Sequence, residues 1–98
     1  MSEKPGTGLF DGGGFALPQD SSQLNHIFGE RKGHLPDTPS NRALLLDVAN
    51  DRRALLGTDQ FGNIWSARTE GDGSQVWTVS RGGTIQNGGR NNPPRYWD

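Results

Sequence analysis

A small α+β domain is predicted for this chain, with one main helix packed on a small twisted antiparallel sheet of three to four strands. The observations behind this lie in the pattern of apolar residues. Ala43, Leu44, Leu45, Leu46, Val48 and Ala49 form one broad stripe behind a helix-start signal. Beyond that stripe the period falls towards two, and turn residues recur at short intervals, as in an antiparallel meander. A length of 98 residues with 30% apolar content supports one modest core and excludes a second domain.

Residues 1–22 are rich in Gly, Pro and Ser, and Leu9, Phe10, Phe15 and Leu17 among them follow no period. They read as a flexible linker, or as an arm in which Phe10, Phe15 and Leu17 pack across the domain. Residues 23–98 are expected to form the domain itself. Leu24, Ile27, Phe28 and Leu35 mark a short turn or helix followed by a loop, interrupted by Gly29, Gly33 and Pro36. In Asp37-Thr38-Pro39-Ser40, Thr38 is a natural N-cap and Pro39 sits at the first helical position, where its missing N–H costs nothing. The main helix should start there and stop at Asn50-Asp51.

Short strands are then expected at Ala54-Leu55-Leu56, from Ile64 to Thr69, from Gln75 to Ser80 and from Thr84 to Asn87. The turns between them are Asp59-Gln60-Phe61-Gly62-Asn63, Gly71-Asp72-Gly73 and Gly82-Gly83. Residues 88–98 have no period and read as a tail, with Tyr96 and Trp97 as its anchors. Alternation puts Trp65, Ala67, Trp77 and Val79 on one face, expected to meet the helix as core, with the two indoles as cross-strand partners. The other face then carries Ser66, Arg68, Thr78 and Ser80, joined by Thr84 and Gln86 if Ile85 points inward, and would cradle a single RNA strand.

Function is argued from His26-Ile-Phe-Gly-Glu-Arg-Lys-Gly-His34, which holds both histidines of the chain with Glu30, Arg31 and Lys32 between them. Two near-neutral proton carriers around a cationic patch suit cleavage of an RNA phosphodiester by its own 2'-hydroxyl. One takes the 2'-OH proton, the other returns a proton to the leaving 5'-oxygen, and fixed positive charge stabilises the phosphorane. Arg31 and Lys32 are candidate phosphate clamps, and Glu30 is better placed to orient a histidine than to act as base, because neighbouring cations lower a carboxyl pKa. A metal alternative sets His26, Glu30 and His34 at i, i+4 and i+8 of one helix face, at the cost of Gly29 and Gly33 in its interior. A structural role for both histidines is the plainest alternative.

Composition narrows the classes further. The absence of cysteine excludes disulfides and thiolate metal sites. No apolar run approaches the roughly 18 residues that cross a bilayer, and Met1-Ser-Glu-Lys-Pro-Gly lacks the apolar stretch of a signal peptide, so no membrane binding is expected of this domain. The formal charge is −1, although residues 23–98 hold nine Lys or Arg against eight Asp or Glu. Such a surface favours recognition of a particular RNA shape over general attraction to nucleic acid. Gly12-Gly13-Gly14 is not a phosphate loop, since no strand precedes it and no Lys-Ser or Lys-Thr follows. Trp97, among Pro93, Pro94 and Arg95, is free to stack on a base or bind a protein.

The pattern of His26-Ile-Phe-Gly, Gly33-His34, a helix ending Asp47-Val48-Ala49-Asn50 and a meander closing with Gly83-Thr84-Ile85-Gln86-Asn87 resembles a known group. It is similar to the C-terminal toxin domains of bacterial polymorphic and contact-dependent inhibition systems, within the barnase/EndoU/colicin/RelE ribonucleases, and most to bacterial EndoU-type toxins. The resemblance covers residues 24–92 and implies a metal-independent endoribonuclease, with tRNA the expected substrate and a 2',3'-cyclic phosphate the product. It implies no cofactor, a cognate immunity protein as partner, and a host activating factor as a further partner. It also implies delivery as the C-terminal part of a larger secreted or surface protein, with action in the cytoplasm of a target bacterium.

On that resemblance His26 and His34 are the catalytic pair, as general base and acid in an order left open; the residues of this chain add Asn87 and Thr78 to the catalytic set and Arg31, Lys32, Arg68, Thr84 and Arg90 as substrate-binding candidates. The EndoU pattern of Ile, any residue, Ser or Thr, any residue, Tyr falls here on Ile85, Gln86, Asn87, Gly88 and Gly89, so its hydroxyl and its tyrosine are both replaced. A non-catalytic protein-interaction module, binding through the open sheet face or the Tyr96-Trp97 end, is the alternative.

Overall fold

The computed structural model describes residues 14–94. Leu9 and Phe10 of the arm, and Arg95, Tyr96 and Trp97 of the expected tail, lie outside the described residues. The chain forms helices α1 (Ser21–Ile27) and α2 (Pro39–Ala49), a single 3-10 turn (Arg52–Ala54), and strands β1 (Leu55–Thr58), β2 (Ile64–Thr69), β3 (Gln75–Arg81) and β4 (Thr84–Asn91). The strands make one antiparallel sheet in the order β1-β2-β3-β4. The α+β meander expected from the sequence is therefore present, with α1 as a second helix.

Each helix begins on a side-chain cap. Asp20 accepts the Gln23 amide at 3.2 Å and starts α1, while Thr38 accepts the Asn41 amide at 3.1 Å and starts α2, with Pro39 in its first turn. Helix α2 ends at Asn50, whose side chain accepts the Phe15 amide at 3.0 Å and donates to the Phe15 carbonyl at 3.1 Å. That clamp, with the Ala16–Thr84 bridge, lays residues 15 and 16 against the domain and buries Phe15.

The core lies between the helices and one sheet face, where Ile27, Leu45, Val48, Val76 and Ile85 are almost wholly buried. Complete burial of such a side chain contributes about 1.5–3 kcal/mol. The sheet presents the opposite parity to the one expected. Ser66, Val76, Thr78 and Ser80 are buried towards α2, and Trp65, Ala67 and Trp77, only partly buried, take the open face, together with Val79, which is buried without joining the core cluster. The reason is steric. A Cβ added at Gly88, which pairs with Thr78, would stand 3.0 Å from Leu45, so α2 rests on small residues and two indoles beneath it would lift it off the sheet. Thr78 Oγ1 is left buried without a hydrogen-bond partner, a cost accepted for close packing.

One further correction concerns the end of β4, while the Gly82-Gly83 turn stands where it was expected. Strand β4 continues through Gly88 and Gly89 to Asn91, where a tail was expected, because close approach of Leu45 on one face and of the Gly33 carbonyl on the other suits residues without a Cβ. The Gly82-Gly83 turn has φ of 60° and 81°, the left-handed pair a two-residue hairpin needs.

Candidate functional site

Helix α1 stops at Ile27 and Phe28 is extended, so His26, Glu30 and His34 do not share a helix face. Arg31 closes this end, donating to the Asn25 carbonyl at 3.1 Å and to the His26 carbonyl at 2.6 Å. A guanidinium folded over the last carbonyls of a helix stabilises them, and Arg31 is thereby engaged as a cap where a phosphate clamp was expected. Among the described residues no group of three or more His, Cys, Asp or Glu is arranged to hold a metal ion.

The chain then doubles back in a closed loop. Phe28 bridges Leu35, the Gly29 amide donates to the Leu35 carbonyl at 2.8 Å, and the His34 amide donates to the Arg31 carbonyl at 3.0 Å. Gly33 has φ of 84°, which turns its carbonyl to accept the Arg90 amide of β4 at 3.1 Å. The loop thus docks on the outer strand over Gly89, where any Cβ would collide with the Gly33 carbonyl.

His34 is held on two sides. Its Nδ1 is 2.9 Å from the Ile27 carbonyl. A carbonyl only accepts, so Nδ1 carries the proton and Nε2 is the site that can take or release one. The ring meets Trp77 edge to face, with centroids 5.9 Å apart and planes at 67°. Trp77 in turn stacks on Trp65 at 6.5 Å and 23°. The Trp65 indole donates to Asp59 Oδ2 at 3.0 Å. That indole hydrogen bond, followed by those from Asn63 and the Phe61 amide, outweighs desolvation and holds the Asp59 carboxyl down at about 2.

His34 lines a concavity of about 710 Å³ together with Lys32, Trp77, Arg90, Asn91 and the Asn92-Pro93-Pro94 segment. This volume is in the range of small-ligand sites. Arg90 Nε and Trp77 Nε1 are buried donors without a hydrogen-bond partner among the described residues. The positive charge of Arg90 also helps to lower the Asp72 carboxyl, behind the hydrogen bonds from Ser74.

The remaining expected site residues lie elsewhere. His26 is exposed beside a separate concavity lined by Ser22, Gln23, Ile85 and Gln86, which shares no residue with that of His34. The structure therefore does not bring the two imidazoles into one pocket. Thr78 is fully buried under α2, out of reach of any substrate. Arg68 points to the helix side, bonding Glu70 at 2.9 Å, Asp47 at 2.9 Å and Asp51 at 3.2 Å. These carboxylates raise its pKa further and occupy it as a strut between β2 and α2. Thr84 sits at the β3–β4 hairpin opposite Arg81, paired with Ala16. Asn87 is opposite Val79, its side chain accepting the Gly88 amide at 3.0 Å.

Trp77, Gly89 and Asp59 were not singled out as functional by the sequence. The signal for Gly89 was a glycine pair inside a strand, which marks close backbone approach; the other two depend on which face the sheet turns to the helix. No protein-family model, curated protein or solved structure matches the chain.

Proposed function

We propose that this domain is an antibacterial endoribonuclease toxin that cleaves RNA, with tRNA as its substrate class, by metal-independent transesterification to a 2',3'-cyclic phosphate. The observation that carries the reading is His34, fixed through Nδ1 to the Ile27 carbonyl and set against Trp77 in a concavity that also holds Lys32 and Arg90. Nε2 of the neutral ring removes the 2'-OH proton, O2' bonds to phosphorus, and the P–O5' bond breaks. The Lys32 ammonium supplies the proton to the leaving oxygen and recovers one from solvent, to which the His34 imidazolium releases the proton it took, while Arg90 balances charge on the phosphorane. Trp77 offers an aromatic surface for a base. His26 is assigned no proton transfer, because it stands in a different concavity.

The resemblance of the sequence to delivered toxin domains supports the rest of this reading: carriage at the end of a larger protein, neutralisation by a cognate immunity protein, a host activating factor and action in the target cytoplasm. Incubation of total RNA with the purified protein in EDTA tests the activity. Cyclic-phosphate ends that vanish in His34→Ala support it; RNA left intact by the parent protein sinks it. A second reading, a non-catalytic interaction module, is favoured by the exposure of Leu55, Leu56 and Phe61 at the β1 edge and its turn, and intact RNA would point to it.

A further inference from the structure

We infer that Asp59 and Trp65 are positioning residues for His34, acting through Trp77 to hold the imidazole in the orientation that presents Nε2 to the concavity. This rests on the reading of His34 as the base. Asp59 lies in the β1–β2 turn and has no place in the His34 concavity. Its Oδ1 organises that turn, accepting the Phe61 and Asn63 amides at 2.9 and 3.0 Å. Its Oδ2 looks the other way and takes the Trp65 indole N–H at 3.0 Å, with the Asn63 side-chain amide at 3.1 Å.

An indole anchored at its nitrogen cannot rotate in its plane or flip. Trp65 and Trp77 are carried by neighbouring strands, in the register Trp65 to Val79 and Ala67 to Trp77, so their rings meet diagonally across the open face. With Trp65 pinned, the stacked Trp77 has one side closed, and its other ring contact among the described residues is the edge-to-face meeting with His34. His34 is thus held between a backbone carbonyl and an aromatic wall. The carbonyl selects which nitrogen keeps the proton, and the wall keeps the ring from turning about χ2 to offer the other. The open-face stack, which a core role would leave unexplained, connects a turn carboxylate to the proposed base.

The test uses the full chain with 15N-labelled histidine. Asp59→Asn keeps an oxygen for the Phe61 and Asn63 backbone amides and replaces the acceptor facing the Trp65 indole and the Asn63 side chain by a donor, so it cuts the anchor and leaves the turn's backbone hydrogen bonds in place. In the parent protein the neutral His34 ring should show a protonated Nδ1 and a bare Nε2. In Asp59→Asn the two tautomers should mix, kcat on RNA should fall about tenfold with KM little changed, as expected for a displaced group, and the His26 signals should stay where they were. Trp65→Phe, which keeps a ring and leaves the turn carboxylate untouched, should do the same and decides the matter if Asp59→Asn does not fold. His34 signals unchanged in the folded variants would overturn the inference, as would an equal change at His26, which would signify general loosening. If the parent protein leaves RNA intact, the ribonuclease reading falls on its own, while the nitrogen signals still judge the positioning.

Discussion

The Gly33 carbonyl accepts the Arg90 amide at 3.1 Å, and this bond ties the loop that carries His34 to the outer strand of the sheet. It is possible because Gly89 beside it has no side chain. Gly89→Ala would drive a Cβ into the Gly33 carbonyl, forcing the loop away. Such overpacking costs about 1–3 kcal/mol. A lower urea midpoint together with lost RNA cleavage is expected; unchanged cleavage would place the site elsewhere.

His34→Ala should lower RNA cleavage by about 10²–10⁴-fold, the usual range for a lost general base, while His26→Ala should leave it near the parent value. Single-turnover rates in EDTA on one tRNA transcript measure both. Equal losses would restore the two-histidine mechanism and contradict the separate concavities of the rings.

Thr78→Val should stabilise the fold by about 1 kcal/mol, because it removes a buried hydroxyl that has no partner. Denaturant midpoints check the sign. Cleavage should be unaffected, since the side chain is buried beneath α2; a loss of activity in the folded variant would mean that the hydroxyl reaches substrate.

Arg68→Met should cost about 1–2 kcal/mol by leaving Asp47, Asp51 and Glu70 without their common cation. The loss should shrink in high salt. Activity per folded molecule should persist, and a fall in activity with an intact fold would return Arg68 to the substrate.

Asp59 makes stability depend on acid. Its carboxyl is depressed in the folded chain to about 2, first by the Trp65 hydrogen bond, below the roughly 3.9 of an unfolded Asp. The stabilisation is therefore complete above the unfolded value and fades as pH falls towards the folded one. The difference in stability between the parent protein and Asp59→Asn should be constant near neutrality and close as pH drops through that window. A difference independent of pH down to the folded value would rule out the ionised carboxylate as its source.

The local elements are legible in the residues themselves. Thr38-Pro39 and the stripe ending at Ala49 determine α2, Gly82-Gly83 determines a hairpin, and the run of turn residues determines a meander, because caps, φ preferences and short-range periodicity act within a few residues. The candidate site was legible only as a segment. His34, Lys32 and Arg90 belong to its concavity, but Arg31 and Arg68 are claimed by the Asn25 and His26 carbonyls and by carboxylates of α2, β2 and their flanks. Glu70 and the two carbonyls lie within six residues of the arginine they hold, but Asp47 and Asp51 stand 21 and 17 residues from Arg68, and nothing near Arg68 in the sequence announces them.

What the sequence by itself determined is the order of helix, turn and strand, and a loop that carries His34. Tertiary structure alone decided which sheet face meets α2, and so that Trp65 and Trp77 stand outside beside His34 while Thr78 is sealed within. Both parities alternate equally well along a strand. The choice between them rests on volume, since Leu45 can settle on Gly88, the strand partner of Thr78, but not on two indoles, and that fit exists only once the layers are in contact.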